Sequence, residues 1–197
     1  PSCNFTSISS TCEAGVEIFG SNNISLSNLT LNHNNSGMQG IVAQNTSNLT
    51  IKNSQILNVG DGDNESGMLL NNLSGNLLLE DISIQNPKEF GIRLFQTTGN
   101  LSGILRRVTV QNNNSTFGED GLSIRVEGGT STILVDDADF LSTGGSGAAA
   151  SVQGNGAILN LTLQNTTWNE NHQLPHAVSF MTAGNGEGNI TIQINSM

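Results

Sequence analysis

The sequence predicts an all-β solenoid, in which each repeat of the chain forms one coil of parallel strands. Three observations support this: a strand phrase that recurs along the chain, a second phrase that opens with Gly, and columns of charge that alternate in sign. Periods of 20 to 50 residues are typical of solenoids, whose neighbouring repeats bury a shared core. We expect about seven coils of 24–30 residues, with three strands in each coil.

The first phrase places a polar residue before alternating aliphatic residues. Its copies begin at Asn23, Asn48, Asn76, Ser102, Thr132, Asn160 and Asn189. Alternation with a period of two is typical of strands that bury one face. We therefore expect an inward column of Ile24, Leu49, Leu77, Gly103, Ile133, Leu161 and Ile190. Two residues further on, we expect a second column of Leu26, Ile51, Leu79, Leu105, Val135, Leu163 and Ile192.

A bend and two more strands complete each predicted coil. The bend is expected at Asn28, Asn53, Asp81, Arg107, Asp137 and Asn165. The strand after it should point inward Leu31, Ile56, Ile84, Val110, Phe140 and Trp168. The third strand follows a tight corner, which is marked by Gly15, Gly40, Gly67, Gly91, Gly121 and Gly147, with Ala177 at the same place in the last copy.

The outward positions test this alignment independently. Lys52, Glu80, Arg106 and Asp136 occupy one repeat position in four consecutive coils, so that the sign of the charge alternates. Opposite charges on neighbouring strands are mildly stabilising, whereas like charges are destabilising. A parallel, in-register stack of coils therefore explains the charge pattern.

These repeats, with Asn28, Asn53 and Asn165 stacked at the bend, resemble the right-handed parallel β-helix family. That family includes pectate-lyase-like proteins and the passenger domains of autotransporter adhesins. The resemblance spans nearly the whole chain and implies a single domain over residues 1–197. Of the polygalacturonase-like motifs only a paired Asp, Asp136-Asp137, is present, so no catalytic residues are assigned. Because the fold serves enzymes and inert stalks alike, function has to be argued from a site.

Composition excludes several classes of partner. Six Lys and Arg stand against sixteen Asp and Glu, which gives a net charge of -10. Nucleic acids require clustered cations, and anionic membranes are disfavoured for the same reason. The sequence has no run of 18 apolar residues, so no membrane insertion is predicted for this segment.

The two ends of the sequence read as incomplete coils. Residues 1–20 hold a loop and one strand, and residues 189–197 hold a first strand whose coil does not close. We expect a fragment of a longer repetitive protein, with flanking coils or oligomer contacts at both ends, because solenoids normally cap their terminal cores. Cys3 and Cys12 are expected to form a disulfide in an oxidising, extracellular or cell-surface location.

Two groups of residues are candidate binding sites. Asp61, Asp63 and Glu65 alternate in a Gly-rich loop and form a candidate Ca²⁺ site, although a solvated turn explains them as well. Third-strand positions predicted to face outward form a candidate surface for a partner protein or sugar rings: Val42, Leu69, Arg93, Phe95 and Arg125. Cover by loops or by another domain is the alternative for this surface.

The sequence favours a non-enzymatic function. We expect an adhesive or structural β-helix segment displayed by a secreted bacterial protein, which contacts a surface protein or glycan of a host or neighbouring cell. The alternative is a polysaccharide lyase or glycoside hydrolase fragment acting on acidic glycans, with a cleft near Arg93, Arg106, Arg125 and Asp136. A third hypothesis is a spacer stabilised by Ca²⁺.

Overall fold

The computed structural model describes residues 14–61, 65–112, 120–170, 178–182 and 189–195. Cys3, Cys12 and Asp63 lie outside these ranges, so the predicted disulfide and one predicted Ca²⁺ ligand stay predictions. The regular secondary structure of the described ranges consists of β-strands. None of the described residues belongs to a helix with the length and hydropathy of a membrane span.

Fifteen strands occur in the described ranges. In chain order they are β1 (Ala14–Phe19), β2 (Asn22–Ser27), β3 (Thr30–Ser36), β4 (Gln39–Gln44), β5 (Ser47–Val59), β6 (Met68–Asn71), β7 (Ser74–Gln85), β8 (Ile92–Gln96), β9 (Asn100–Gln111), β10 (Leu122–Val126), β11 (Thr130–Thr143), β12 (Ala148–Val152), β13 (Ile158–Glu170), β14 (Val178–Thr182) and β15 (Asn189–Asn195). Short and long strands alternate along most of the chain because each coil contributes one of each.

The strands form two parallel sheets that enclose the core. The short-strand sheet has seven strands in the order β1-β4-β6-β8-β10-β12-β14. The long-strand sheet has eight strands, in the order β15-β13-β11-β9-β7-β5-β2, with β3 also paired to β5. Each strand therefore pairs with its equivalents in the preceding and following coils, which is the arrangement of a solenoid.

The number of coils and the number of strands per coil differ slightly from expectation. The solenoid has about five turns rather than the seven coils expected. Two of the three strand segments expected in each coil run on as one long strand, although the first coil keeps them apart as β2 and β3. Hydrogen bonding to the neighbouring coils continues on both sides of the bend.

The predicted bend is confirmed as a left-handed backbone position. Its φ values lie between 47° and 57° at Asn28, Asn53, Asp81, Arg107, Asp137 and Asn165. Asn tolerates this conformation better than most residues, because its short polar side chain can form local hydrogen bonds. A left-handed residue at this place in six successive copies of the repeat turns the strand without interrupting the stack.

The predicted inward columns are confirmed through the sixth copy of the repeat. Ile24 pairs with Leu49, and further along the stack Ile133 pairs with Leu161. The last copy was misaligned by two residues, because Ile190 pairs with Leu159 rather than with Leu161. An even shift keeps the same side chains inward, so the hydrophobic pattern alone does not distinguish the two registers.

Close packing explains the Gly that precedes each short strand. A Cβ built on Gly91 would lie 2.3 Å from Val110 Cγ1 and 2.5 Å from the carbonyl oxygen of Gly121 in the next coil. The corner glycines of other coils are packed in the same way. A Cβ on Gly40, Gly67 or Gly121 would approach the carbonyl oxygen of the corner glycine in the next coil. Inside the coils, the rings of Phe140 and Trp168 stack with centroids 5.2 Å apart.

Candidate functional site on the short-strand sheet

The five residues predicted to form a binding surface lie on the short-strand sheet. Val42, Leu69 and Arg93 pair in successive strands, so they form one column. Phe95 and Arg125 pair with each other in a second column, two residues further along the strands. The structure thus brings the five residues onto two adjacent columns, here called the Arg93 column and the Arg125 column.

The apolar part of this surface is less exposed than expected. Val42 is only 8% exposed, so the prediction that it presents an apolar surface to solvent was wrong. It is flanked in its column by Glu17 and Leu69, whose side chains are larger. Leu69 and Phe95 are half-buried, whereas Met181 on β14 is 57% exposed.

A groove of about 330 Å³ crosses the two columns next to the arginines. Its floor carries small side chains, because the Arg93 column continues as Ser123, Ala149 and Ser179. The Arg125 column continues as Ser151 and then Met181. The groove therefore results from a loss of side-chain volume after β8 and β10, and Met181 limits it on the far side.

The two arginines of the groove differ in their partners. The Arg93 guanidinium carbon lies 5.1 Å from the ring centroid of Phe90, and that of Arg125 lies 5.4 Å from the centroid of Phe95. Such cation–π contacts hold a guanidinium flat against the ring. Arg125 also forms an ion pair with Glu127. Among the described residues, Arg93 has no carboxylate within ion-pair distance.

The charged column predicted on the long-strand sheet is confirmed. Lys52 pairs with Glu80, Glu80 with Arg106, and Arg106 with Asp136. Lys52 Nζ lies 2.8 Å from Glu80 Oε2, and Arg106 donates to Glu80 Oε1 through Nε at 3.1 Å. Arg107, at the adjacent bend position, also contacts this column, because its Nη2 donates to Glu80 Oε1 at 2.9 Å.

These contacts stabilise the charged forms of Glu80, Asp81 and Arg107. Hydrogen bonds from Lys52, and then from Arg106 and Arg107, lower the pKa of Glu80 to about 2, although its partial burial opposes the shift. A hydrogen bond from Arg107 lowers the pKa of Asp81, and the same contact raises the pKa of Arg107. The charges of Lys52, Glu80, Asp81, Arg106 and Arg107 are thus paired with one another on the outer face of the long-strand sheet.

The residues of the enzymatic alternative do not share one cleft. Arg93 and Arg125 line the groove of the short-strand sheet. Arg106 and Asp136 lie on β9 and β11 of the long-strand sheet, where Asp136 Oδ1 accepts a hydrogen bond from Asn165 at 3.1 Å. The expectation of a single cleft was therefore wrong. Positions on both sheets recur with the same period, so the repeat alone does not show which residues share a sheet.

The candidate Ca²⁺ loop stays a prediction. Glu65 Oε2 accepts a hydrogen bond from the backbone N–H of Asp61 at 2.8 Å. A Cβ on Gly37 would lie 2.9 Å from Asp61 Oδ1 and 3.3 Å from Glu65 Oε1, so both carboxylates approach the same point. No group of three or more Cys, His, Asp or Glu in the described part of the chain has metal-binding spacing.

Several residues near the groove were missed by the sequence reasoning. Phe90 reaches it from the loop before β8, and Gln153 from the residue after β12. The floor could have been predicted from Ala148-Ala149-Ala150-Ser151, where small residues replace the larger ones of earlier copies. Arg125 and Glu127 lie two positions apart, which places both side chains on one face of an extended segment.

The fold and the two outer faces define a parallel β-solenoid that presents a groove on one sheet. A family model described as the right handed beta helix region matches residues 2–116. The chain therefore belongs to the right-handed β-helix family. No curated protein and no solved structure is significantly similar to it. The family match establishes the fold, while the activity depends on the site.

Proposed function

We propose that this chain is a non-enzymatic binding segment of a secreted bacterial surface protein, which contacts an acidic glycan of a host or neighbouring cell through the groove. The observation that carries the proposal is the environment of Arg93. Arg93 is half-buried at the wall of the groove, its guanidinium lies over the Phe90 ring, and it has no carboxylate partner among the described residues. A guanidinium binds carboxylates and sulfates through two parallel N–H groups.

The lining of the groove favours a glycan over a protein partner. Ser123, Ser151 and Ser179 offer hydroxyl groups, and Gln153 offers an amide. Such groups can hydrogen-bond the hydroxyl groups of a sugar. The volume of about 330 Å³ lies at the small end of ligand sites, whereas a stable protein partner needs roughly 800 Å² of surface on each side.

The rest of the molecule fits a display role. The core is continuous through the described coils, and the outer face of the long-strand sheet is held by ion pairs and hydrogen bonds. A stiff stack of coils holds the groove at a fixed place on an extended body. The extracellular location belongs to the proposal, and the predicted Cys3–Cys12 disulfide is the sequence feature that favours it.

The binding proposal is tested by calorimetric titration of the purified chain with uronic-acid-containing octasaccharides. We expect saturable binding that Arg93→Gln weakens roughly tenfold or more, since a charge-assisted hydrogen-bond pair is lost. Lys88→Gln is the matched control, because Lys88 is exposed and does not line the groove. Equal binding by the two variants, or no binding by the parent chain, would overturn the proposal.

A further inference from the structure

The charges at the two ends of β10 restrict what the groove can hold. Asp120, which lines the groove, lies two residues before the first residue of the strand. Glu127 lies immediately after its last residue. Between them the outward side chains of the strand are Ser123 and Arg125. A ligand that follows β10 therefore meets a carboxylate at either end.

The groove offers one cation that is not already paired. Arg125 is bound by Glu127, so its charge is largely balanced within the protein. Asp120 Oδ1 accepts a hydrogen bond from the backbone N–H of Ser146 at 3.0 Å, which holds this carboxylate at the edge of the groove. Arg93 remains as a single anchor for one anionic group, between the balanced Arg125–Glu127 pair on one side and the Asp120 carboxylate on the other.

We propose that the groove selects a glycan in which an acidic sugar unit is flanked by neutral units, because Glu127 keeps Arg125 from binding a second acidic unit and Asp120 repels one. This inference rests on the proposed function and names the substrate class of the same site. One acidic unit binds Arg93, and its neighbours lie over Ala149 and the three serines of the floor. A second acidic unit would approach Glu127 or Asp120.

Repulsion of this kind is an effective source of specificity. Discrimination needs an element that is unfavourable to the wrong ligand as well as contacts with the right one. The net charge of -10 adds to the repulsion of a polyanion at low ionic strength. Because added salt screens exposed charges, the preference for an isolated acidic unit should shrink as ionic strength rises.

The experiment compares three octasaccharides by calorimetric titration: one with alternating uronic acid and neutral N-acetyl sugar units, a uronic acid homopolymer, and a neutral glucan. At low salt we expect the alternating octasaccharide to bind about tenfold more tightly than the homopolymer. Glu127→Gln should bring the two affinities to within about threefold. The matched control is Glu17→Gln, because Glu17 is exposed at the other end of the same outer face and does not line the groove.

The outcomes separate this inference from the proposed function. Tighter binding of the homopolymer to the unmodified chain, with loss of binding in Arg93→Gln, overturns the inference and leaves the glycan-binding proposal intact. An unchanged affinity ratio in Glu127→Gln also overturns it, provided that the variant keeps the parent circular dichroism spectrum. Poly-glutamate is titrated under the same conditions, and stronger binding of it than of any octasaccharide overturns both proposals, since an acidic peptide is then the ligand.

Discussion

The two sheets of this solenoid share one core but differ on their outer faces. Along the long-strand sheet, asparagines of neighbouring coils bind one another: Asn58 Nδ2 donates to Asn32 Oδ1 at 3.2 Å, and Asn86 Nδ2 donates to Asn58 Oδ1 at 2.8 Å. On the short-strand sheet, the columns change from arginine and phenylalanine to alanine and serine between neighbouring coils. Contacts between neighbouring coils thus recur on the outer face of the long-strand sheet, whereas the residue types change from coil to coil on the short-strand sheet.

The ion pairs of the two faces also differ in burial. Glu80 and Glu127 illustrate it, because both are partners of arginine. Glu80 is 8% exposed and receives hydrogen bonds from three cations of neighbouring coils. Glu127 pairs with Arg125 from its own coil, and the side chains are 29% and 45% exposed. Exposed pairs contribute little to stability, so the Arg125–Glu127 pair should stabilise the fold less than the contacts of Glu80 do.

The largest expected effect concerns the core that the two sheets share. Phe140→Ala should lower the free energy of unfolding by about 3–5 kcal/mol, because a fully buried ring is lost and a cavity remains. Urea denaturation followed by circular dichroism measures this loss. Met181→Ala removes a side chain that is 57% exposed, and it should change the free energy of unfolding by less than about 0.5 kcal/mol. Equal losses in the two variants would show that Phe140 is not part of a close-packed core.

The second prediction concerns the corner that leads into the short-strand sheet. Gly91→Ala places a Cβ 2.5 Å from the Gly121 carbonyl oxygen, which belongs to the backbone of the next coil. The neighbouring coils would have to separate there, and we expect a loss of about 1–3 kcal/mol. Ser123→Ala, on the outer face of the same sheet, is the control and should be nearly neutral in the same urea titration. A neutral Gly91→Ala would contradict the close approach of the two coils.

Much of the outer face of the long-strand sheet, and little of that of the short-strand sheet, could be predicted from the sequence. The charge column from Lys52 to Asp136 could be predicted from the repeat alone, because in-register stacking places equivalent residues of successive copies next to one another. The groove depends on missing side-chain volume in two columns and on Phe90, which a loop positions. The position of a loop side chain has no periodic signal, so repeat analysis could not supply it.

The third prediction compares Glu80→Gln with Glu127→Gln through the pH dependence of Tm. The folded protein lowers the pKa of Glu80 from 4.5 to about 2, so its contribution to stability is complete above about pH 4.5 and disappears as the pH falls towards 2. Glu80→Gln should therefore lower Tm at pH 7, and the difference from the parent chain should vanish near pH 2. Glu127→Gln should leave Tm at pH 7 nearly unchanged. A Glu80→Gln difference that is constant with pH would contradict the assigned hydrogen bonds.

The smallest expected effect concerns the bend in the long-strand sheet. Asn53 has a φ of 47° and an exposed side chain, so its replacement reports mainly on the backbone conformation. Asn53→Ala should cost about 1 kcal/mol, because a residue with an ordinary Cβ resists the left-handed region, whereas Asn53→Gly should cost less. Urea titration of both variants checks this order. Arg107 adopts the same conformation at the same bend, yet it also binds Asp81 and Glu80. Arg107→Gly should therefore be destabilising, whereas Asn53→Gly is tolerated. At Arg107 the loss of the side-chain contacts costs more free energy than glycine recovers by adopting the left-handed conformation without strain.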